Sequence, residues 1–193
     1  MDGGGVARRD TRIWLAVAGV VALTAAVLLA MGRSAICRCG RVALWHGQVT
    51  SAENSQQVLD PYSATHLVHG LLFYAGGWLL LRRWGWRARL LAAVVVEAAW
   101  EVAENSPAVI DRYRSVTAAL GYTGDSVLNS VGDIACMMAG FLLARALPWR
   151  VSVALGVALE LLLLATIRDN LALNVLMLVT PDPRILAWQQ AGG

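Results

Sequence analysis

Three apolar stretches of this sequence carry ionisable or amide side chains at helical spacing. Within each stretch these residues fall three or four positions apart, so they occupy one face of a helix. The groups are His66 and His69; Glu97, Glu101 and Glu104; and Asp125, Asn129 and Asp133. Ionisable groups are costly inside a membrane and usually face a bundle interior or a water-filled cavity. We therefore expect the three polar faces to meet in one pocket.

The pocket residues are suited to metal binding or acid–base chemistry. Two imidazoles and carboxylates can ligate Zn²⁺ or another divalent cation, which makes His66, His69, Glu97 and Asp133 the candidate metal ligands. The His pair lacks the HExxH pattern of helical metalloprotease sites. In an enzyme, Glu97, Glu101 or Asp133 would be the general base or a ligand, and the histidines ligands or acid–base groups. Crowded carboxylates repel each other unless a cation, a proton or an arginine lies among them.

Candidate substrate-binding residues lie nearer the polar segments. Arg112 and Arg114 suit an anionic head group, because guanidinium groups bind such anions through paired hydrogen bonds. Asn129, Arg168 and Asp169 complete this candidate set. The structural alternative is that amides and carboxylates simply join helices, at about 0.6 kcal/mol per hydrogen bond.

The composition is that of an integral membrane protein. Hydrophobic residues make up 58% of the 193 residues and charged residues 15%. In soluble domains about half of the residues are apolar and about a quarter are charged. The mean hydropathy is +0.57, and a net charge of +3 gives no reason to expect a nucleic-acid partner. We expect an all-α bundle in a lipid bilayer.

About 20 apolar residues in a helix span a bilayer, and the sequence predicts about five such spans. They cover residues 13–31, 65–81, 90–104, 126–144 and 151–167. Residues 1–12 form an N-terminal tail, and residues 13–193 form a single transmembrane domain. The first span is longer than the apolar core of a signal peptide, so we interpret it as an uncleaved anchor.

The segments between the spans differ in length and polarity. Residues 32–63 are polar and rich in turns, and a second polar loop runs from residue 105 to Asp125, which is placed as the N-cap of the fourth span. Residues 171–179 are apolar but too short to cross, so they are either re-entrant or interfacial.

Arginine content in short loops predicts the orientation. The N-terminus and the turns at 82–89 and 145–150 lie on one side and hold nine of the 16 basic residues. We therefore place the N-terminus in the cytoplasm and residues 32–63 in the periplasm of a bacterial inner membrane. A rise of 1.5 Å per residue then places His69, Glu97, Asp133 and Glu160 in the periplasmic half of the membrane. Glu160 has an alternative partner, Arg168, two turns along its own helix.

Cys37 and Cys39 are separated by one residue in the polar segment. In an oxidising compartment they can bond to each other, bond to a partner or bind a soft metal. The simplest alternative is two unpaired thiols.

Eight strings of the sequence jointly resemble a family. They are ICRCG at 36–40, LWHG at 44–47, SAENSQ at 51–56, HLVHG at 66–70, EAAWEVAENSP at 97–107, IDRYR at 110–114, GDSVLNSVGD at 124–133 and IRDNLALNVLML at 167–178. Together they resemble an uncharacterised family of multi-pass bacterial inner-membrane proteins, over residues 36–189. The resemblance implies a location and a topology class but no activity. The acidic third span and the Asp/Asn-bearing fourth are also distantly similar to VanZ-like membrane proteins, which lend no catalytic residue.

These observations favour a pocket that acts on, or binds, a lipid-linked or envelope substrate, with hydrolysis or group transfer as the reaction if the protein is an enzyme. The alternative is a non-enzymatic protein, either an ion or proton pathway or an accessory subunit. A pathway needs polar residues in both membrane halves. The cytoplasmic halves (residues 70–81, 90–96, 139–144 and 151–159) contain almost none, which favours a pocket open on one side.

Overall fold

The long apolar segments fold into helices in the computed structural model, which describes residues 3–117 and 121–191, with side chains from residue 10 onward. Within these ranges eight helices form, and no strand does, apart from one isolated bridge between Trp45 and Leu59. The helices are α1 (Gly3–Ala30), α2 (Ser63–Leu80), α3 (Trp86–Glu104), α4 (Pro107–Val116), α5 (Val127–Ala146), α6 (Trp149–Ile167), α7 (Leu171–Val179) and α8 (Pro183–Gln190). The predicted all-α class is confirmed.

Three of the helices in the described ranges are long and apolar enough to cross a membrane. They are Asp10–Ala30 within α1, Val127–Ala146 and Trp149–Ile167. Only 17% and 6% of the apolar windows in α1 and α6 are buried, against 56% in α5. Helices α2 and α3 have 18 and 19 residues, but their histidines, glutamates and arginines lower their apolar character. Whether α2 and α3 cross a membrane therefore stays a prediction.

Helices α2 and α5 make the closest packing contact of the bundle through two glycines. A Cβ atom on Gly70 would collide with the carbonyl oxygen of Met137, and one on Gly140 would collide with that of Leu67. Small residues let helix backbones approach closely where apolar burial alone does not drive association. This contact fixes α2, which carries the histidines, against α5, which carries Asp133.

Arginine and tryptophan side chains gather at one end of the bundle. Arg87, at the start of α3, pairs with Asp10 of α1 at 3.0 Å. The Arg145 guanidinium, at the end of α5, lies 4.2 Å from the centre of the Trp86 ring. The beginnings of α1 and α3 and the end of α5 therefore share one end, and the polar faces of α2, α3 and α5 lie towards the other.

The segment between α1 and α2 folds over that polar end. The main-chain N–H of Ser126 donates to the Ser55 carbonyl at 2.9 Å, and that of Val127 donates to Ser34 at 2.9 Å. Arg41 and Glu53 form an ion pair within the segment, at 2.8 Å. Cys37 and Cys39 form a disulfide, the first of the alternatives weighed from the sequence. The segment thus caps the start of α5.

Two local predictions are wrong. The N-cap of α5 is Ser126, whose hydroxyl accepts a hydrogen bond from the Asn129 N–H, because Asp125 instead accepts bonds from side chains around it. The loop predicted from residue 105 to Asp125 contains α4. Its start combines an N-cap serine, Ser106, with a proline at the first helical position, which is a helix-start signal. The 171–179 segment is a helix too short to cross, as expected.

Candidate functional site

Two histidines of α2 converge on one glutamate of α3. His66 Nδ1 lies 2.5 Å from Glu97 Oε1, and His69 Nδ1 lies 3.1 Å from both Glu97 oxygens. The three-residue spacing of the histidines puts both rings on the face that packs against α3. Glu97 is completely buried, and His66 is 6% exposed. One ligand atom from each residue lies within 4.8 Å of the other two, which is close enough for one cation to bind all three.

Two further carboxylates lie around the ring of His66. Glu101 Oε1 is 3.6 Å from His66 Nδ1, and Asp133 Oδ2 is 3.8 Å from His66 Nε2. Asp133 thus lies at the ring edge opposite Glu97, with its other oxygen accepting a hydrogen bond from Ser63 at 2.8 Å. A carboxylate in this place orients a metal-bound imidazole rather than binding the metal itself. The four predicted metal ligands are therefore close together, but they do not form one ligand set.

A cavity of about 260 Å³ opens beside these residues. Its acidic and basic lining residues are Asp60, His66, His69, Glu97, Glu104, Asp125, Asp133 and Asp169. Aromatic lining comes from Tyr62, Phe73, Trp100, Tyr113 and Tyr122. Within the described ranges no arginine lines the cavity, and the sequence has no lysine. Six carboxylates thus face two imidazoles, so the cavity attracts cations.

Two acidic residues of the cavity are held by the loops outside the long helices. Asp125 accepts hydrogen bonds from Asn105 Nδ2 at 2.8 Å and from the Tyr122 hydroxyl at 2.9 Å. Burial nevertheless raises the pKa of Asp125 from 3.8 to about 6. Asp60 accepts the main-chain N–H groups of Ser55 and Tyr62, both at 2.8 Å, and burial raises its pKa too. Both groups therefore gain from a nearby cation or a bound proton.

Helix α7 closes another side of the cavity. Asp169, just before it, accepts a hydrogen bond from the Tyr62 hydroxyl at 3.1 Å, and burial raises the pKa of Asp169. The Tyr113 hydroxyl of α4 donates to Asn174 Oδ1 at 2.9 Å. Of the predicted substrate-binding residues, Asp169 and Asn129 line the cavity.

The three predicted substrate-binding arginines do not reach the cavity. Arg112 donates to the Leu178 carbonyl at 2.9 Å, and Arg114 donates to the Tyr122 carbonyl at 2.5 Å. Arg168 donates to the Trp188 carbonyl at 2.9 Å. Arg112 thus joins α4 to α7, Arg114 joins α4 to the loop before α5, and Arg168 joins the turn after α6 to α8. Binding of an anionic head group by Arg112 and Arg114 thus stays a prediction without structural support.

Glu160 is separate from the cluster, contrary to the expectation of a shared site. Its carboxylate accepts the main-chain N–H groups of Leu171 and Ala172, both at 3.1 Å. The chain reverses at Arg168, whose φ of 53° is left-handed, and this turn brings the start of α7 back onto α6. A carboxylate is stabilised there by the free N–H groups and the helix dipole. Glu160 therefore has a structural role.

Several residues that hold the site were missed from the sequence. Ser63 binds Asp133, and Asn105 binds Asp125 through both its amide nitrogen and its oxygen. Tyr122, which donates to Asp125, was also missed; its ring lies edge to face with that of Tyr113, with 5.4 Å between the ring centres. Asn105 follows the glutamate stripe at i+4 from Glu101, and that spacing is the one signal that could have indicated its role.

Comparison with known proteins places the chain in a family. The family described as "Protein of unknown function (DUF2585)" matches residues 28–191. The chain belongs to the DUF2585 family. The expected membership in an uncharacterised bacterial family is thereby confirmed, and every cavity residue named above lies within the match. The DUF2585 match says nothing of the VanZ-like resemblance, which stays a prediction.

Close relatives cover nearly the whole chain. A UPF0314 protein of Sphingopyxis alaskensis is 54% identical over 190 residues, covering 98% of this chain and 99% of the relative. One of Novosphingobium aromaticivorans is 55% identical over 183 residues, with 92% of each chain covered. One of Rhizobium meliloti is 50% identical, covering 94% of this chain and 93% of the relative. No solved structure matches.

Proposed function

We propose that this protein is a multi-pass protein of the bacterial inner membrane with a cavity that faces the periplasm. The cavity binds a divalent cation at His66, His69 and Glu97. The bound cation supports hydrolysis or group transfer on a lipid-linked or envelope substrate. The observation that carries the proposal is the convergence of two imidazoles on one buried carboxylate in an acidic cavity.

The donor set matches a catalytic divalent-metal site. Two histidines and a glutamate are one of the ligand sets of catalytic Zn²⁺, in which a fourth position takes water or substrate. A cation at Glu97 would take the place of the hydrogen bonds between this carboxylate and the rings of His66 and His69. Asp133, beyond Nε2 of His66, is positioned to fix the orientation of that ring. A cation bound here would lower the pKa of a bound water to about 7 and so generate a nucleophile.

The charge of the cavity also supports a bound cation. Six carboxylates line it, and the three candidate arginines, Arg112, Arg114 and Arg168, are held at main-chain carbonyls elsewhere. An anionic substrate group would be repelled by this lining unless a cation lay between them. The cation thus has two tasks, to offset part of the carboxylate charge and to hold an anionic part of the substrate.

The exposed apolar surface supports placement in a membrane. Leu15 and Leu23 of α1 are 66% and 65% exposed, and Leu161 and Leu162 of α6 are 59% and 56% exposed. Such surfaces are stable in lipid and prone to association in water. The arginine-rich end would lie in the cytoplasm by the positive-inside rule, so the cavity at the other end would face the periplasm.

The packing disfavours a pathway through the membrane. Below the cavity, α2 and α5 touch at Gly70 and Gly140, and Met137 and Phe141 are completely buried. Ion and proton pathways need polar groups or water across both membrane halves. The apolar contact beneath the cavity therefore supports a site that opens on one side.

Metal analysis of the detergent-purified protein tests the proposal. We expect about one tightly bound divalent cation per chain, lost in His69→Ala and in Glu97→Gln. The matched controls are His46→Ala and Glu160→Gln, which change the same residue types outside the cavity and should retain the metal. If the wild-type protein binds no divalent cation, or if His69→Ala and His46→Ala bind equally, the proposal is wrong.

A further inference from the structure

Glu101 is a buried carboxylate without a hydrogen-bond partner. It is completely buried, and it lies between Glu97 and Glu104 in the acidic stripe of α3. Neither of its carboxylate oxygens accepts a hydrogen bond from the part of the chain that the structure describes. A buried charge with no compensating bond is strongly unfavourable, so this position calls for a bound cation or proton.

The surroundings of Glu101 supply further oxygen ligands. One ligand atom each of His66, Glu101 and Glu104 lies within 4.8 Å of the other two. The carboxylates of Asp125 and Asp133 also repel the charge on Glu101. Glu104 itself lines the cavity, which gives a cation a route from the opening to the buried oxygens of Glu101.

A single divalent cation at His66, His69 and Glu97 leaves most of this charge uncompensated. It neutralises two charges where seven carboxylates, the six of the lining and Glu101, lie together. His66 Nδ1 is closer to Glu97 than to Glu101, at 2.5 Å against 3.6 Å. His66 therefore serves the first cation and leaves Glu101 and Glu104 for another.

We propose that the cavity binds a second divalent cation, held by Glu101 and Glu104 beside the cation at His66, His69 and Glu97. The proposal rests on the proposed function, because the first cation takes His66. The two positions differ in chemistry. Nitrogen donors of imidazole favour Zn²⁺ and Co²⁺, whereas a site of carboxylate oxygens suits Mg²⁺ or Mn²⁺.

Two metals with different spectra separate the sites in the full-length protein in detergent. The chelator-treated protein first receives one equivalent of Co²⁺, whose visible absorption reports nitrogen ligation, and then Mn²⁺, whose binding is counted by electron paramagnetic resonance. For the wild type we expect one Co²⁺ and one Mn²⁺ per chain. Glu101→Gln should keep the Co²⁺ spectrum and weaken Mn²⁺ binding at least tenfold, and the control Glu160→Gln should change neither.

The outcomes distinguish this inference from the proposed function. A Co²⁺ site without a Mn²⁺ site in the wild type overturns the second cation and leaves the first, and this result needs no variant to fold. Unchanged Mn²⁺ binding in Glu101→Gln also overturns it, since the Mn²⁺ then binds elsewhere. Loss of the Co²⁺ spectrum in folded Glu101→Gln assigns Glu101 to the first site and overturns a separate position. Absence of any Co²⁺ site in the wild type sinks both proposals.

Discussion

A methyl group added at the contact between α2 and α5 should move the histidines of α2 away from Asp133 of α5. A Cβ on Gly140 would collide with the Leu67 carbonyl oxygen, a main-chain atom that cannot rotate away. The backbones must therefore move apart. On the same helix as Leu67, a Cβ on Gly76 would meet nothing within 4 Å, which makes Gly76→Ala a matched control.

The expected energies have opposite signs at the two positions. Overpacking of a tight contact costs about 1–3 kcal/mol, whereas alanine is better than glycine in a helix by about 0.8–1 kcal/mol. Gly140→Ala should therefore be destabilised by up to ~2 kcal/mol overall, and Gly76→Ala should be neutral or stabilised by ~1 kcal/mol. Because the separation also moves His66 away from Asp133, Gly140→Ala should bind the divalent cation more weakly.

Equilibrium unfolding in mixed micelles measures the free energy of unfolding of the two variants, and metal titration measures the effect on the site. The prediction is an unfolding free energy lower in Gly140→Ala than in Gly76→Ala, together with a weakened metal site in Gly140→Ala alone. Equal stability of the two variants would refute the close contact, and with it the argument that this contact positions Asp133 beside His66.

Three further predictions concern residues outside the long helices. In a background without the native cysteines, Ser115→Cys should react with a membrane-impermeant thiol reagent in intact cells and Gly85→Cys should not; the opposite pattern would invert the proposed orientation. Burial raises the pKa of Asp125 from 3.8 to about 6, so the folded state holds the proton on this carboxyl more tightly than the unfolded state does. The resulting contribution of Asp125 to the free energy of unfolding is present below about pH 4 and is lost as the pH rises through 6, by up to ~3 kcal/mol. Thermal unfolding from pH 4 to pH 7 should therefore show a smaller loss in Asp125→Asn than in the wild type, and equal losses would disprove this role. Protein isolated without reductant should show one reactive thiol under denaturing conditions, because Cys37 and Cys39 are joined; reduction should raise the number to three.

The parts of the site that depend on helical periodicity could be predicted from the sequence. His66 and His69 lie three residues apart, so they share one face of their helix. Because an ionisable group is costly in contact with lipid, the histidine face and the helix face that carries Glu97 are both expected to point inward. The structure accordingly brings the three residues together. Helical periodicity does not show which edge of an imidazole ring faces which neighbour. It could therefore not predict that Asp133 lies at the edge of the His66 ring opposite Glu97.

The parts that depend on chain reversal could not be predicted. Glu160 lies on an apolar helix like Glu97, but the left-handed residue Arg168 turns the chain so that α7 begins against Glu160. A non-glycine residue in this conformation has no reliable sequence signal. Ser106 and the following proline can mark the end of α3 as well as the start of α4, so the sequence predicts one polar loop over residues 105–125 where the structure has α4.

X-ray absorption spectroscopy of the metal-loaded protein tests the central claim most directly. We expect two imidazole ligands and at least one oxygen ligand, with metal–nitrogen distances of about 2.0–2.1 Å for Zn²⁺. In His69→Ala the imidazole signal should be lost together with the metal, and His46→Ala should match the wild type. A bound metal with no imidazole ligand, or with the same ligands in His69→Ala as in the wild type, would contradict a site at His66, His69 and Glu97.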